Sequence, residues 1–595
     1  MESQKQTSDD RKDQKINVAK CDTKVTRRVE TQDAEEILQE SNARVFNKTQ
    51  YVEDRVVEGP KSLYQSDTEV THRVETLDAE EILQESSSKV CNKPQCIEDR
   101  VVEAPKSRYE SDTEVTHRAE IVGANERLRK SSEKVYDETQ YLEGMVLEAP
   151  KLLYHNARVV TPRDGTWFMR GEKYFKGVVV KSWIMMSFAD KKTCSLHDLE
   201  YFTKRLIGAA NEHGMTMEKP QATHIAAEGD SVQESLQKML KACNPDLMLI
   251  VLPKANKTIY GEVKQIADAS LAVVTQCVTD LSVLKMRDPS ALGNICQKIN
   301  VKMGGVINSL TANGRHPVFR RPVIIIGASV SHFGMLSKMG MERSVAAAVG
   351  SLDSHPFKYA AAVRMQTGFE TISNLNGMVA DLLKEFYKNT KGKKPEKIIF
   401  FRAGISKERF SYLKDKEIKL IREACLSLDP AYQPGITFIA VQKNSNMRFV
   451  SELYPDHSVG RLRYIYPGTV VGHQIPNPSN FNFYLCSHFS FQGVSKPYQY
   501  TVLNDDNDFT ADDLYKLAYF LCYTYAGSNN SISCPAPVQY AHLATLRTRR
   551  HLLAKMDELI ARGEISCTTD LDHLPESVLE SIKIADGLKN SMYFI

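Results

Sequence analysis

The amino-acid sequence predicts an α/β protein behind a repetitive acidic arm, and three observations carry that prediction. From about Leu152, apolar strands alternate with amphipathic helical patterns, as in a parallel α/β layer. Before that point the chain repeats one 45-residue segment instead. Composition is the third observation: 42% apolar and 25% charged residues exclude a wholly disordered, collagen-like or disulfide-scaffold chain. The 595 residues exceed one compact core; at roughly 150 residues per domain the length suggests about four units, or fewer if some are large.

In the arm, TRRVETQDAEEILQES at 26–41 returns as THRVETLDAEEILQES at 71–86, and a third, diverged copy runs from Thr116 through EAPKLLY. Each copy has one short helical stretch, around AEEILQE, and few large apolar side chains. A solenoid needs stacked apolar faces, so residues 1–155 are expected to form a largely disordered, linker-like arm made by tandem duplication. The arm holds 24 Lys and Arg against 33 Asp and Glu, which leaves 53 against 41 for residues 156–595. The second part is therefore where a polyanion would bind. No apolar run approaches the roughly 18 residues of a membrane helix, and the start, MESQKQTSDDRKDQK, lacks a signal-peptide core. A soluble intracellular protein, cytoplasmic or nuclear, is expected. The twelve Cys show no CxxC pair and no Cys/His cluster at zinc spacing, so they read as reduced thiols without a structural metal.

Beyond the arm the elements follow in turn: the strand GVVVKSWIMMSF, the helix LEYFTKRLIGAANEHG, the strand DLMLIVLP, the helix IYGEVKQIADA, the strand LAVVTQCV and the helix ALGNICQKINVKM. A loop rich in Gly, Asn and Pro closes this unit, assigned to 156–310. The second unit, 311–595, opens with RPVIIIGASV, SVAAAVGSLD and YAAAVRMQ, close enough together to be adjacent antiparallel strands. A helix (TISNLNGMVADLLKEFYKNT), the strand KIIFFRAG, the helix IKLIREACLSL and the strand GITFIAVQK follow, then a long helix from about Val538 to Ile560. This order is that of a ribonuclease-H-like α/β domain.

GxxxxGK[ST], GxSxG and HExxH are absent, so nucleotide hydrolysis, α/β-hydrolase chemistry and zinc proteolysis have no motif support. Polar residues at helical spacing stand out instead. Tyr260 and Lys264 are i, i+4 in one helix, and Lys298 and Lys302 are i, i+4 in another, so each pair projects from one face. Two such helices converging would hold a phosphate. On spacing alone, solvated lysines are the simpler reading, because Lys is usually exposed.

YGEVKQIADASLAVVTQCV followed by NICQKINVKMGGV resembles the MID domain of eukaryotic Argonaute proteins. The likeness continues through QPGITFIAVQK, FNFYLCSHFSFQGVSKP, CPAPVQYAHLATLRTRRHL and a terminal MYFI, over about residues 140–595. The resemblance implies a Rossmann-like MID domain followed by a ribonuclease-H-like PIWI domain, without the family's N and PAZ domains. It also implies a site for the 5′ phosphate of a guide RNA, made of Tyr260, Lys264, Gln276, Lys298, Lys302 and Arg547, with Arg550 where the family has a second Tyr. Cations would neutralise the phosphate, and Gln and Tyr would supply directed hydrogen bonds and a stacking face. Lys443, Arg448 and Lys496 match backbone-contacting positions.

Slicing relatives cut the target with two Mg²⁺ held by an Asp-Glu-Asp-His set. Here Ser329 and Ala403 stand at the two Asp positions, and Glu370 and His542 are the remnants. Paired Mg²⁺ ions need several oxygen anions, so no catalytic metal is expected, and at most one Mg²⁺ at the guide's 5′ end. His542 is then read as a packed helix histidine. The implied function is small-RNA-guided silencing without target cleavage, through guide RNA, complementary target RNA and a GW-repeat scaffold protein, whose tryptophans IREACLSLDPAYQPG would receive. Two alternatives stay open: a slicer with substitute metal ligands, and a competitor for Argonaute partners that binds no RNA.

Overall fold

The computed structural model describes residues 13–19, 139–227, 229–254, 257–285, 289–311, 315–332, 343–353, 355–368, 371–443, 449–450, 465–472, 481–490, 495–564 and 575–595. Strands β1 (Asp13–Ala19) and β2 (Thr139–Val146) pair antiparallel, from Asp13 opposite Met145 to Ala19 opposite Thr139. Both fall within the segment read from sequence as a linker-like arm; the structure makes them strands of the larger sheet. The third copy has Gly144 where the first two have Asp54 and Asp99, and Gly144 is buried, where a carboxylate would be desolvated without a partner. Residues 20–138, with the rest of the repeats, lie outside the described residues.

The first α/β unit runs β3 (Trp183–Ser187), α1 (Leu196–Glu212), β4 (Ala222–Ile225), α2 (Val232–Cys243), β5 (Leu247–Leu252), α3 (Lys257–Gln265), β6 (Val274–Thr279) and α4 (Pro289–Lys302). Its sheet has the order β6-β5-β3-β4, all parallel. The run LMLIVL of β5 has no polar alternation because helices cover both sheet faces, and all six residues are buried. A capping box starts α1: the Ser195 hydroxyl accepts the Asp198 N–H, and the Asp198 carboxylate accepts the Ser195 N–H at 2.9 Å. Past α3 the helix widens into a π-helical turn, Ile266–Leu271, ended by Ala272 in the left-handed region at φ 55°.

The second unit runs β7 (Val323–His332), β8 (Arg343–Ser351), β9 (Tyr359–Thr367), α5 (Leu375–Asn389), β10 (Lys397–Ala403), α6 (Phe410–Leu428), β11 (Gly435–Gln442), β12 (Phe449–Val450), β13 (Thr469–Val471), β14 (Asn482–Cys486), β15 (Tyr498–Asp505), α7 (Ala511–Leu521) and α8 (Ala536–Ala561). Its sheet has eleven strands in the order β9-β8-β7-β10-β11-β15-β14-β13-β2-β1-β12. β7, β8 and β9 form the antiparallel meander expected from sequence, and β7, β10 and β11 are parallel. Alternation along β7 divides the core. Ile324, Ile326 and Ala328 share a core with Leu382 of α5, Leu413 of α6 and the stacked pair Phe400 of β10 and Phe438 of β11, whose ring centroids are 5.0 Å apart. Val323 and Ile325 pack on the other face with Ala541 and Leu543 of α8.

The start of α8 lies against β7 at Gly327, where a Cβ would collide with the backbone of Pro537 and Val538. Gly327→Ala is therefore expected to destabilise the chain by about 1–3 kcal/mol through overpacking. The midpoint of urea unfolding reads this out, and an unchanged midpoint would show that α8 can shift away from the sheet.

Candidate nucleic-acid interface

Every part of the site rests on an element already placed. α3 carries Tyr260 and Lys264 on one face, α4 carries Lys298 and Lys302 in its last two turns, β6 carries Thr275 and Gln276, and α8 carries Arg547, Arg550 and His551. Lys264 is 1% exposed; its Nζ donates to the Thr275 carbonyl at 3.1 Å and to Thr275 Oγ1 at 3.0 Å. Lys302 is 3% exposed; its Nζ donates to the same carbonyl at 3.2 Å and to Gln276 Oε1 at 3.0 Å. Gln276 Nε2 donates to the Cys277 carbonyl, which fixes which end of its amide faces Lys302. The two lysines are thus not the solvated pair that spacing alone favours. Two ammonium groups converge on one carbonyl oxygen, a like-charge arrangement that favours an anion nearby. Lys298 is half-buried one turn before Lys302.

Across the seam between the two α/β units, the π-helical turn supplies Asp268, which is buried. Its Oδ2 accepts from Arg547 Nη1 at 2.9 Å and lies 3.1 Å from His551 Nε2. Burial by itself pushes a carboxyl up. Here the Arg547 guanidinium, the His551 hydrogen bond and charge, and the Lys264 ammonium outweigh burial and hold Asp268 at about 2, against an ordinary 3.8. Burial keeps His551 below its ordinary 6.5 in spite of Asp268. An ionised Asp268 can only accept, so the facing His551 Nε2 carries the proton. Arg547 Nη2 also donates to the Tyr260 hydroxyl at 3.4 Å. The Tyr260 ring has Arg550 Cζ over it at 5.1 Å and Lys264 Nζ at 5.7 Å. Lys264, Lys302, Arg547 and Arg550 bring positive charge to this seam, and Asp268 is the carboxylate paired with Arg547.

Sequence reading missed Asp268, His551 and Thr275. His551 lies four residues after Arg547 on α8, a legible spacing; Asp268 is 279 residues from Arg547 and left no local signal.

The second candidate region lies at the carboxyl ends of β7 and β10, which are adjacent parallel strands. Ala328 pairs with Arg402, so Ser329 and Ala403 follow in neighbouring positions. They offer one hydroxyl and one methyl group. Arg402 is fully buried and meets Glu417 of α6 at 3.1 Å, and Glu417 Oε1 accepts the Ile372 N–H at 3.0 Å. His542 is exposed on α8 between buried Ala541 and Leu543, a correction to the packed histidine expected from sequence. Its surroundings still desolvate it: burial, and then the Lys443 charge, holds the imidazole below the ordinary 6.5. Lys443, just past β11, and Lys496, just before β15, are exposed. Glu370 and Arg448 lie outside the described residues. Among the described residues no three His, Cys, Asp or Glu side chains gather as a metal site, and no helix is long and apolar enough to cross a membrane. The eight described cysteines are free thiols.

Asp268 gives this seam an acid-sensitive stability. Its folded pKa lies below its unfolded one, so its contribution is complete above about pH 4 and fades as pH falls toward 2. Asp268→Asn should cost about 2 kcal/mol at pH 7, read from the urea midpoint, with the gap to wild type closing in acid. A gap independent of pH would mean that packing rather than charge holds the seam.

Residues 161–242 match the Mid domain of argonaute and residues 247–553 match the Piwi domain. Among solved structures, Kluyveromyces polysporus Argonaute with a guide RNA superposes with a TM-score of 0.66 at 23% identity, covering 77% of this chain and 57% of that one. The C-terminal lobe of a budding yeast Argonaute gives 0.65 at 24%, covering 77% of this chain and 95% of that one. Drosophila Piwi gives 0.63 at 20%, covering 79% and 60%. The chain thus spans well under two thirds of the first and third of these proteins and nearly all of the isolated lobe.

Proposed function

The chain belongs to the Argonaute–Piwi family, with a MID domain and a ribonuclease-H-like PIWI domain, and on that premise we propose that it holds a guide RNA by its 5′ phosphate and silences paired targets without cutting them. The observation that carries this reading is the convergence of Lys264 and Lys302 on the Thr275 carbonyl, with Gln276 beside them and Arg547 reaching in from α8. A terminal phosphate bears more than one negative charge and several acceptor oxygens, which suits a place where cations gather. The protein would contact phosphate and backbone while sequence is read by base pairing, with target RNA as the second partner. Exposed Lys443 and Lys496 suit backbone contacts.

Loss of cleavage follows from the donors at the carboxyl ends of β7 and β10. A hydroxyl at Ser329 and a methyl at Ala403 replace two anions, and a pair of divalent ions cannot be held without them. Silencing would then proceed through partners. Leu426 and Leu428, both exposed at the end of α6, suit a scaffold that inserts tryptophans there. A cytoplasmic or nuclear site of action fits this role.

Two measurements test the reading. Lys264→Ala or Lys302→Ala should weaken binding of 5′-phosphorylated RNA by about 1.5–3 kcal/mol, the worth of a charged hydrogen bond, and should leave 5′-hydroxyl RNA nearly unaffected. Equal binding of both RNAs by the unaltered protein would remove the phosphate site. Separately, the guide-loaded protein should leave a fully paired target intact in excess Mg²⁺ or Mn²⁺. Cleavage at one phosphodiester, abolished by Glu370→Ala, would restore the slicer alternative.

A further inference from the structure

Beside the phosphate cluster, Tyr260 is half-buried and presents the aromatic ring that a guide's first base would meet. That ring is already attended. Arg550 places its guanidinium 5.1 Å from the ring centroid, and the Lys264 ammonium, tethered to Thr275, lies 5.7 Å from it. The two helices that carry Tyr260 and Arg550 are closely packed: a Cβ on Gly261 would stand 3.3 Å from the Ala554 Cβ and 3.7 Å from the Arg550 carbonyl. That contact brings the backbone of Arg550 beside the helix that carries Tyr260, within reach of the ring. A planar guanidinium over a tyrosine and a base stacked on a tyrosine are attractions of the same order. A base that took the ring would first have to displace the guanidinium, and the exchange returns little.

We propose that Arg550 occupies the place of the first base on Tyr260, so that this site selects a guide by its 5′ phosphate and backbone and is indifferent to the base at its 5′ end. Arg550 is then a specificity-determining residue: it adds a positive charge for phosphate while withdrawing the stacking face. The inference rests on the 5′-phosphate reading of the same site.

The test uses the full chain and 5′-phosphorylated RNAs that differ only in the first base, with an abasic first nucleotide as reference. The unaltered protein should bind all of them within about threefold, since the usual stacking gain is cancelled. Arg550→Tyr should bind the base-bearing RNAs about tenfold or more better than the abasic one. Arg550→Lys keeps the charge without the flat face, so it should gain base dependence while still preferring a 5′ phosphate to a 5′ hydroxyl. An unaltered protein that loses about tenfold on removal of the base overturns the proposal. So does indifference that persists in both variants, because Arg550 is then not its cause. Equal binding of 5′-phosphate and 5′-hydroxyl RNA overturns the phosphate reading and this one with it. Phosphate dependence in a base-dependent protein overturns this one alone.

Discussion

The seam between the two α/β units depends on the ion pair of Asp268 with Arg547, which joins the π-helical turn after α3 to the long helix α8. α8 is fixed at its start against β7, where Gly327 leaves no room for a side chain, and in its second half against α3 at Gly261. One rigid element thus spans from the larger sheet to the phosphate cluster. Breaking the pair would strip Arg547, buried beside Lys264, of its ion pair with Asp268, a costly change in a low-dielectric interior. The same carboxylate keeps the cluster tolerable without a bound anion.

The two candidate regions have opposite electrostatics. At the seam, cations are gathered and buried, with their hydrogen bonds aimed at one carbonyl of β6. At the carboxyl ends of β7 and β10, anions are absent from the two described positions that would face a metal, and the buried charge nearby, Arg402 with Glu417, is spent within the fold. Glu417 also holds the Ile372 N–H, so this pair braces the chain that follows residues 369–370. Its role is structural: a buried Arg and Glu satisfy one another and leave nothing for a ligand. The first region gathers buried cations, and the second holds a buried Arg–Glu pair.

Much of the fold was legible in the sequence because its strands are covered on both faces and read as unbroken apolar runs, such as LMLIVL and VIIIG. The meander β7–β9, the parallel pair β10–β11 and the last helix all fall where periodicity placed them. β4 gives little signal, since ATHI is short and only half-buried without clean alternation, whereas α2 carries a legible amphipathic pattern in VQESLQKMLKAC. β1 and β2 read as linker in the sequence because the arm that holds them is acidic, repetitive and poor in large apolar side chains. The phosphate cluster was half legible. Helical spacing paired Tyr260 with Lys264 and Lys298 with Lys302, but it could not show that the lysines turn inward. Only the Thr275 carbonyl, reached from both helices, establishes that. Asp268 and Arg547 meet across 279 residues, a distance no local pattern spans.

The most direct test of the central claim is to purify the protein from its own cells and determine the 5′-end chemistry of the RNA that comes with it. The account predicts short RNAs with 5′ phosphates, lost from the Lys264→Ala and Lys302→Ala variants. Absence of RNA from the unaltered protein, or RNA carrying 5′ hydroxyls, would contradict it.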